Sequence, residues 1–217
     1  MSSEREKRNC TVTAVVPAYN EADRVGETVR SVAKYVDTVL VVDDASNDAT
    51  GRRAEEAGAS VLTQEKNEGY IAAVKRGFAA ADTDIVVTID ADGELPADQI
   101  PTLVHPVCKG GADMVQGRRD QIVRPSEQFL TWLANWGGDV GDSGTGLRAL
   151  RTELAQDLDL KGACICGVFS LEVLERGGFI AEVPIQLRTV EKPRGVAWYH
   201  FGQFFYVMAA LLRKWAA

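Results

Sequence analysis

Asp90 and Asp92 stand two residues apart, directly after an apolar run, Asp84-Ile-Val-Val-Thr-Ile89. In extended chain, side chains at i and i+2 point the same way, so the two carboxylates leave the run side by side. Paired anionic oxygens suit a hard divalent cation such as Mg or Mn, which prefers oxygen ligands and shares them with a diphosphate. Glu94 is a third candidate ligand, directly or through water. Asp-Ala-Asp-Gly is also good turn chemistry. The position behind a buried strand favours ion binding over a plain surface turn. A second acidic pair, Asp43-Asp44, closes another apolar run and is followed by Ala45-Ser46. One of these carboxylates can accept hydrogen bonds from a ribose or a base edge while Ser46 caps the next helix. Capping plus a solvated charge is the competing explanation. Gly144-Thr-Gly-Leu-Arg-Ala149 matches the letters of a dinucleotide fingerprint, but no apolar strand precedes it, and it is rejected as such a site.

These carboxylates need elements to aim them. Thr11-Val-Thr-Ala-Val-Val16 predicts a strand ending at Pro17, and a helix then opens at Asn20 or Glu21 with Val25, Val29, Val32 and Val36 at helical spacing. Residues 39–42 predict a second strand, 46–57 a helix stopped by Gly58, and 60–63 a third strand. Residues 69–81 predict a helix striped with Ile71, Val74 and Phe78, and 84–89 the fourth strand. A helix over 98–109 and a fifth strand at 114–116 follow. The second half is less regular: a helix at 127–136, a glycine-rich loop at 137–146 placed to move over an acceptor, and a strand at 147–150. A helix at 169–176, a strand at 179–184 and a closing helix at 198–215 complete the chain.

Alternating helices and strands, with strands apolar on both faces, predict an α/β fold with a mainly parallel, doubly wound sheet covered by helices on both faces. Ligands of such sheets bind beyond the carboxyl ends of the strands, which singles out the loops at 18–21, 43–47 and 90–94. No repeat, low-complexity tract or linker divides the chain. Residues 1–10 are expected as a disordered tail, charged and without an apolar signal core. Residues 11–197 are expected as one domain and 198–217 as a C-terminal amphipathic helix.

With 217 residues, the chain has room for one well-filled domain. A formal charge of −7 argues against a nucleic-acid partner, since phosphate backbones demand a basic face. Cys10, Cys108, Cys164 and Cys166 contain no Cys-x-x-Cys pair and read as reduced thiols, hence a cytoplasmic protein. Cys164-Ile-Cys166 needs two further soft ligands to hold zinc, and both histidines lie far off in sequence, so no zinc site is expected there.

Taken together, these pieces resemble glycosyltransferase family 2, with its GT-A nucleotide-diphospho-sugar transferase fold, and within it the dolichyl-phosphate mannose or glucose synthases. The resemblance runs from Val12 to about Arg194. It is carried by Val15-Val-Pro-Ala-Tyr-Asn-Glu21, Val41-Val-Asp-Asp-Ala-Ser-Asn-Asp-Ala-Thr50, Asn67-Glu-Gly69 leading to Arg76-Gly-Phe78, and Asp90-Ala-Asp92 with Pro96 beyond. By that resemblance Pro17, Tyr19, Glu21 and Asp44 would hold the donor nucleoside, with Asn67, Gly69 and Ala91 in the same donor-binding motifs. Asp90 and Asp92 would hold the metal, with Glu94 where these synthases commonly carry Gln. Gly117-Arg-Arg119 is similar to the family's Gly-Ser-Arg, and Asp142-Ser-Gly-Thr-Gly-Leu-Arg148 to its Asp-x-x-Ser-Gly-Phe-Arg loop. The implied catalytic set is Asp90, Asp92, Arg119, Asp142 and Arg148. Arg119, Arg124 and Arg148 would meet an acceptor phosphate, whose oxygens the guanidinium fork binds bidentately; salt bridges to nearby aspartates are the alternative for Arg119 and Arg148.

Glu182-Val-Pro-Ile185 also matches the family, but its Ser-Lys is missing from Lys192-Pro-Arg-Gly-Val-Ala-Trp198. Lys192, Arg194 or His200 would have to stand in. The resemblance implies inverting hexose transfer from GDP-mannose or UDP-glucose to a polyprenyl (dolichyl) phosphate. A soluble or glycan acceptor is one alternative, and a non-catalytic nucleotide-sugar-binding subunit another. Residues 201–212 are too short to span a bilayer, which needs about 20 apolar residues. Their aromatic and basic flanks suit either peripheral contact at the cytoplasmic face of a membrane or packing on the sheet.

Overall fold

The structure, a computed structural model, describes residues 10–120, 124–188 and 199–216. All seven residues of β1 (Val12–Ala18) are buried, as a strand covered on both faces requires. Its alternate side chains serve two cores. Val12, Ala14 and Val16 join one cluster and Val15 the other. The first cluster is closed by α1 (Val25–Val32) and α4 (Ile100–Cys108), the second by α3 (Tyr70–Ala80), α6 (Thr152–Asp157) and α7 (Val168–Glu175). The valines at 25, 29 and 32 are fully buried, which bears out the helical spacing; Val36 is buried too but lies beyond the end of α1, which stops at Val32.

The remaining strands are β2 (Thr38–Asp43), β3 (Ser60–Thr63), β4 (Ile85–Thr88), β5 (Met114–Arg119), β6 (Arg148–Arg151) and β7 (Ile180–Ile185). They form one sheet in the order β3-β2-β1-β4-β6-β5-β7. β1 runs parallel to β2 and β4, β2 to β3, and β5 to β7; β6 alone is antiparallel, to both β4 and β5. The mainly parallel, doubly wound α/β sheet is as expected. Because β6 is reversed, its first residue pairs with the last of β4, Thr88 opposite Arg148. The chain therefore enters β6 at the edge where the parallel strands end. A third cluster joins α5 (Pro125–Ala134), α7 and α8 (Tyr199–Ala216) through Leu130, Leu133, Leu171, Val207 and Leu211.

Several local expectations need correction. β1 continues through Pro17 to Ala18. The pairing of β1 with β4 ends at Val15, so the proline lies beyond the part of the strand that is flanked on both sides, where its missing N–H is tolerated. α2 (Thr50–Glu56) starts later than Ser46, which caps nothing: its hydroxyl accepts the Asn20 N–H at 2.9 Å. The glycine-rich stretch at 137–146 is no loose flap, since Val140, Asp142, Ser143, Thr145 and the Gly146 position are buried. α6 was not anticipated; at six residues it is shorter than the helical period can reveal. The tail at 1–9 and the segment holding Lys192 and Arg194 lie outside the described residues.

The thiols also differ from expectation. Cys10, just before β1, and Cys108, at the end of α4, form a disulfide across 98 residues of chain, so the inference of a reducing compartment loses its basis. Cys164 and Cys166 are free and buried. Closing so long a loop removes much of the unfolded chain's freedom. Mass measurement of the protein unfolded without reductant should therefore find one disulfide and two alkylatable thiols. Cys108→Ser should lower unfolding stability by about 2–4 kcal/mol in a denaturant titration.

Candidate active site

The loops that follow β1, β2 and β4 meet at one edge of the sheet. The first two are laced together: Asn47 N–H donates to the Asn20 side chain at 2.8 Å and Glu21 N–H to the Thr50 hydroxyl at 2.8 Å. Asn20 and Ala45 hold φ values of +54° and +59° there. For alanine this left-handed conformation costs roughly 1–2 kcal/mol, which the lacing must sustain. Beside these loops lies a cavity of about 510 Å³. It is lined by Pro17, Tyr19 and Glu21 after β1, by Asp90, Ala91, Asp92 and Glu94 after β4, and by Arg119, Arg124, Glu127 and Gly144.

Both carboxylates of the Asp-Ala-Asp motif thus face the same space, the arrangement a shared cation needs. Asp90 accepts a hydrogen bond from the Tyr70 hydroxyl at 2.9 Å. Burial first, and the Asp90 charge second, push that phenol well above its ordinary range, so it remains a donor. Asp92 accepts the Glu94 N–H at 3.0 Å, and Thr28 of α1 anchors the motif by donating to the Ala91 carbonyl at 3.0 Å. Glycine is required opposite: a Cβ at Gly146 would fall 2.2 Å from an Asp90 carboxylate oxygen. Asp90, Asp92 and Glu94 all line this cavity and offer the oxygen ligands a hard divalent ion prefers, but among the described residues their three carboxylates are not drawn together into a ligand-spaced cluster.

Arg119, at the end of β5, is held on several sides. Asp142 takes its Nε and Nη2 at 2.8 and 2.7 Å and also accepts its backbone N–H, while Glu127 takes Nη2 from the other side. Burial would lower the guanidinium's affinity for its proton; the Asp142 hydrogen bonds and the Glu127 charge more than offset this and hold it above its usual value. The salt-bridge alternative is therefore realised, with Arg119 still on the cavity wall. Asp142 is fixed in turn by Glu182, which accepts its N–H at 2.6 Å. Arg124 reaches the cavity from the start of α5.

Arg148 does not meet the expectation of a phosphate contact. It is fully buried, its guanidinium donating to the carbonyls of Thr145 and Ser143 and lying 4.7 Å from the Phe169 ring centroid. Burial depresses its pKa. It shapes the loop from within and does not line the cavity. Asp44 also lies off the cavity wall: its carboxylate accepts the N–H groups of Glu68 and Gly69, both at 2.8 Å, and the Gln64 amide. Gly69, at φ +88°, then opens α3, while Asn67 is exposed. Asp44 thus fixes the segment that delivers Tyr70.

Tyr70, Glu127 and Gly146 belong to the site although the sequence alone did not single them out. Tyr70 directly follows the Asn67-Glu-Gly69 motif, a position that pointed to it; Glu127 carries no signal, because only the fold brings α5 to Arg119. His200 reaches the cavity from α8, but its Nδ1 is 2.8 Å from the Ser126 hydroxyl and its Nε2 faces the Cys166 sulfur.

Comparison with known proteins agrees with this geometry. The family model of glycosyl transferase family 2 matches residues 13–171. The chain is 31% identical to the dolichyl-phosphate hexose transferase of Haloferax volcanii over 192 residues, 82% of each protein. It is 30% identical to a Salmonella undecaprenyl-phosphate 4-deoxy-4-formamido-L-arabinose transferase over 64% of this chain and 48% of that one. Among solved structures, glucosyl-3-phosphoglycerate synthase of M. tuberculosis superposes with a TM-score of 0.77 at 26% identity, covering 98% of this chain and 82% of that one. The same enzyme is also known with Mn2+, UDP-glucose and glycerol 3-phosphate bound (TM-score 0.74, 25% identity, 98% and 82% covered). The fold is GT-A. The chain belongs to glycosyltransferase family 2 and is a glycosyltransferase.

Proposed function

We propose that the enzyme transfers a hexose, with inversion, from a nucleotide diphosphate sugar (GDP-mannose or UDP-glucose) to a polyprenyl phosphate. The observation that carries this reading is one cavity lined by Asp90 and Asp92 together with Arg119 and Arg124. Asp90 and Asp92, with Glu94, would hold Mg or Mn. A divalent ion there would neutralise charge gathering on the departing diphosphate. Pro17, Tyr19 and Glu21, which line the same cavity, would hold the donor's nucleoside. An acceptor phosphate is ionised at neutral pH and needs placing more than deprotonating. Arg124 and Arg119 are the candidates to place it, and Asp142 and Glu127 keep Arg119 aimed.

A lipid acceptor is favoured by what lies beside the cavity. The two helices that contribute Arg124, Glu127 and His200 also expose a continuous aromatic strip. Phe129, Trp132 and Trp136 stand on the α5 side and Phe201, Phe205, Tyr206 and Trp215 on α8. The rings touch in series, Phe129 with Trp132, Trp132 with Trp136, and Phe129 with Phe204, at centroid separations of 5.8, 5.0 and 6.2 Å. An exposed patch of this kind marks a binding surface, and tryptophan and tyrosine favour the membrane–water boundary. No helix among the described residues is long and apolar enough to cross a membrane. A small phosphorylated acceptor is the second reading, favoured by the likeness to glucosyl-3-phosphoglycerate synthase.

The deciding assay offers labelled UDP-glucose or GDP-mannose with polyprenyl phosphate, 3-phosphoglycerate or free sugar. Label moving into the lipid phase supports the proposal; label retained with 3-phosphoglycerate alone would overturn the acceptor. Asp92→Asn should lower metal-dependent transfer by at least about 100-fold while its thermal midpoint stays near that of the wild type. Gly146→Ala should displace the Asp90 carboxylate. Because ~1 Å of misplacement can cost about 100-fold, turnover and apparent Mn affinity should both fall. Replacing Trp132 and Trp136 together with serine should release the protein from anionic vesicles in a flotation assay, without changing hydrolysis of the donor.

A further inference from the structure

Cys164 and Cys166 lie in the loop before α7, and His200 lies 34 residues further on in the first turn of α8. The fold brings them together. Their sulfur and nitrogen ligand atoms all lie within 4.8 Å of one another, and all three residues are buried. Cys166 Sγ and His200 Nε2 are 3.8 Å apart. Tetrahedral coordination with Zn–S of about 2.3 Å and Zn–N of about 2.1 Å needs ligand separations of roughly 3.6–3.8 Å. One pair already has that separation, and the rest need modest contraction.

The surroundings are built to hold this geometry. Ser126 Oγ, 2.8 Å from His200 Nδ1, accepts from that nitrogen when the ring carries its proton there, which leaves the Nε2 lone pair aimed at the sulfurs. Gln203, fully buried one turn along α8, accepts the N–H groups of Ala163 and Cys164 at 3.1 and 3.3 Å and donates to the Cys166 carbonyl at 3.4 Å. Gly162, at φ +110°, is where the loop passes closest to that amide; a Cβ there would meet Gln203 Oε1 at 2.3 Å. The cysteine loop is thus moulded onto α8 by bonds that fix where its sulfurs sit.

We propose that Cys164, Cys166 and His200 bind a zinc-class ion, separate from the hard cation assigned to the aspartates. Two thiolates and an imidazole select a borderline-soft metal, whereas carboxylate oxygens select Mg or Mn. Binding displaces the two thiol protons to solvent and leaves a locally neutral centre. All three ligands also line the catalytic cavity, so the fourth position faces it and is open to water or to an incoming ligand. The ion clamps α8, with its aromatic strip, to the loop that closes this side of the site. This assignment does not depend on the choice of acceptor.

The test uses the wild-type chain, stripped of metal with a chelator and titrated with Co2+ under inert atmosphere with no disulfide reductant present. Only Cys164 and Cys166 can supply thiolates while Cys10 and Cys108 stay paired. One equivalent of cobalt should raise a thiolate-to-metal charge-transfer band, and one equivalent of zinc should abolish it. Asp92→Asn should keep the band, and Cys166→Ser should lose it. Ser126→Ala should weaken zinc affinity by about 10–100-fold, as loss of a partner behind a ligating histidine does. A wild-type spectrum without sulfur character, or undiminished zinc binding by Cys166→Ser, would overturn the assignment, whatever happens to transferase activity.

Discussion

The approach of the Asp90 carboxylate to the bare Cα of Gly146 is the contact on which the site depends. β4 and β6 are antiparallel neighbours, and Thr88 donates from its hydroxyl to the Gly146 carbonyl at 2.9 Å. That bond sets the height at which the chain leaves β4 and at which it enters β6. The Asp90-Ala-Asp92 motif and the Asp142–Arg148 loop are therefore two sides of one strand pairing. A side chain at 146 would separate them, so the small residue is demanded by geometry.

A second constraint is electrostatic. Arg119 sits between Asp142 and Glu127 with only 14% of its side chain exposed, and both acids are more deeply buried. A cluster of this kind contributes little net stability as a whole, but removing one member strands the others at a cost of about 3–5 kcal/mol. Its value is positional. Glu182 extends the chain of bonds through Asp142 and Gln116, and Gln116 reaches the Val140 carbonyl at 2.8 Å. The Arg119 and Glu127 part of the cavity lining is thereby fixed from the interior of the sheet outward.

Much of this was legible in the sequence, for a specific reason. Strands buried on both faces leave uninterrupted runs of Val and Ile, and α1 advertises its inner face by Val25, Val29 and Val32 at helical spacing. The runs in turn point to the acidic residues that end them. Sequence spacing could not show contacts made across the sheet. Glu127 reaches Arg119, and His200 reaches Cys166, only because α5 and α8 pack beside α7. Arg148 misled because its letters match an anion-binding loop, whereas burial turned its guanidinium inward onto carbonyls. The disulfide was equally hidden: Cys10 and Cys108 are distant in sequence, and only the placement of α4 against the start of β1 unites them.

The reversed strand has a mechanical corollary. A conventional lid hangs between two elements and swings while its anchors stay still. Here the glycine-rich stretch runs straight into β6, which is zipped to β4 on one flank and β5 on the other. Swinging it would unzip the middle of the sheet. The centre of the enzyme therefore acts as a rigid anvil.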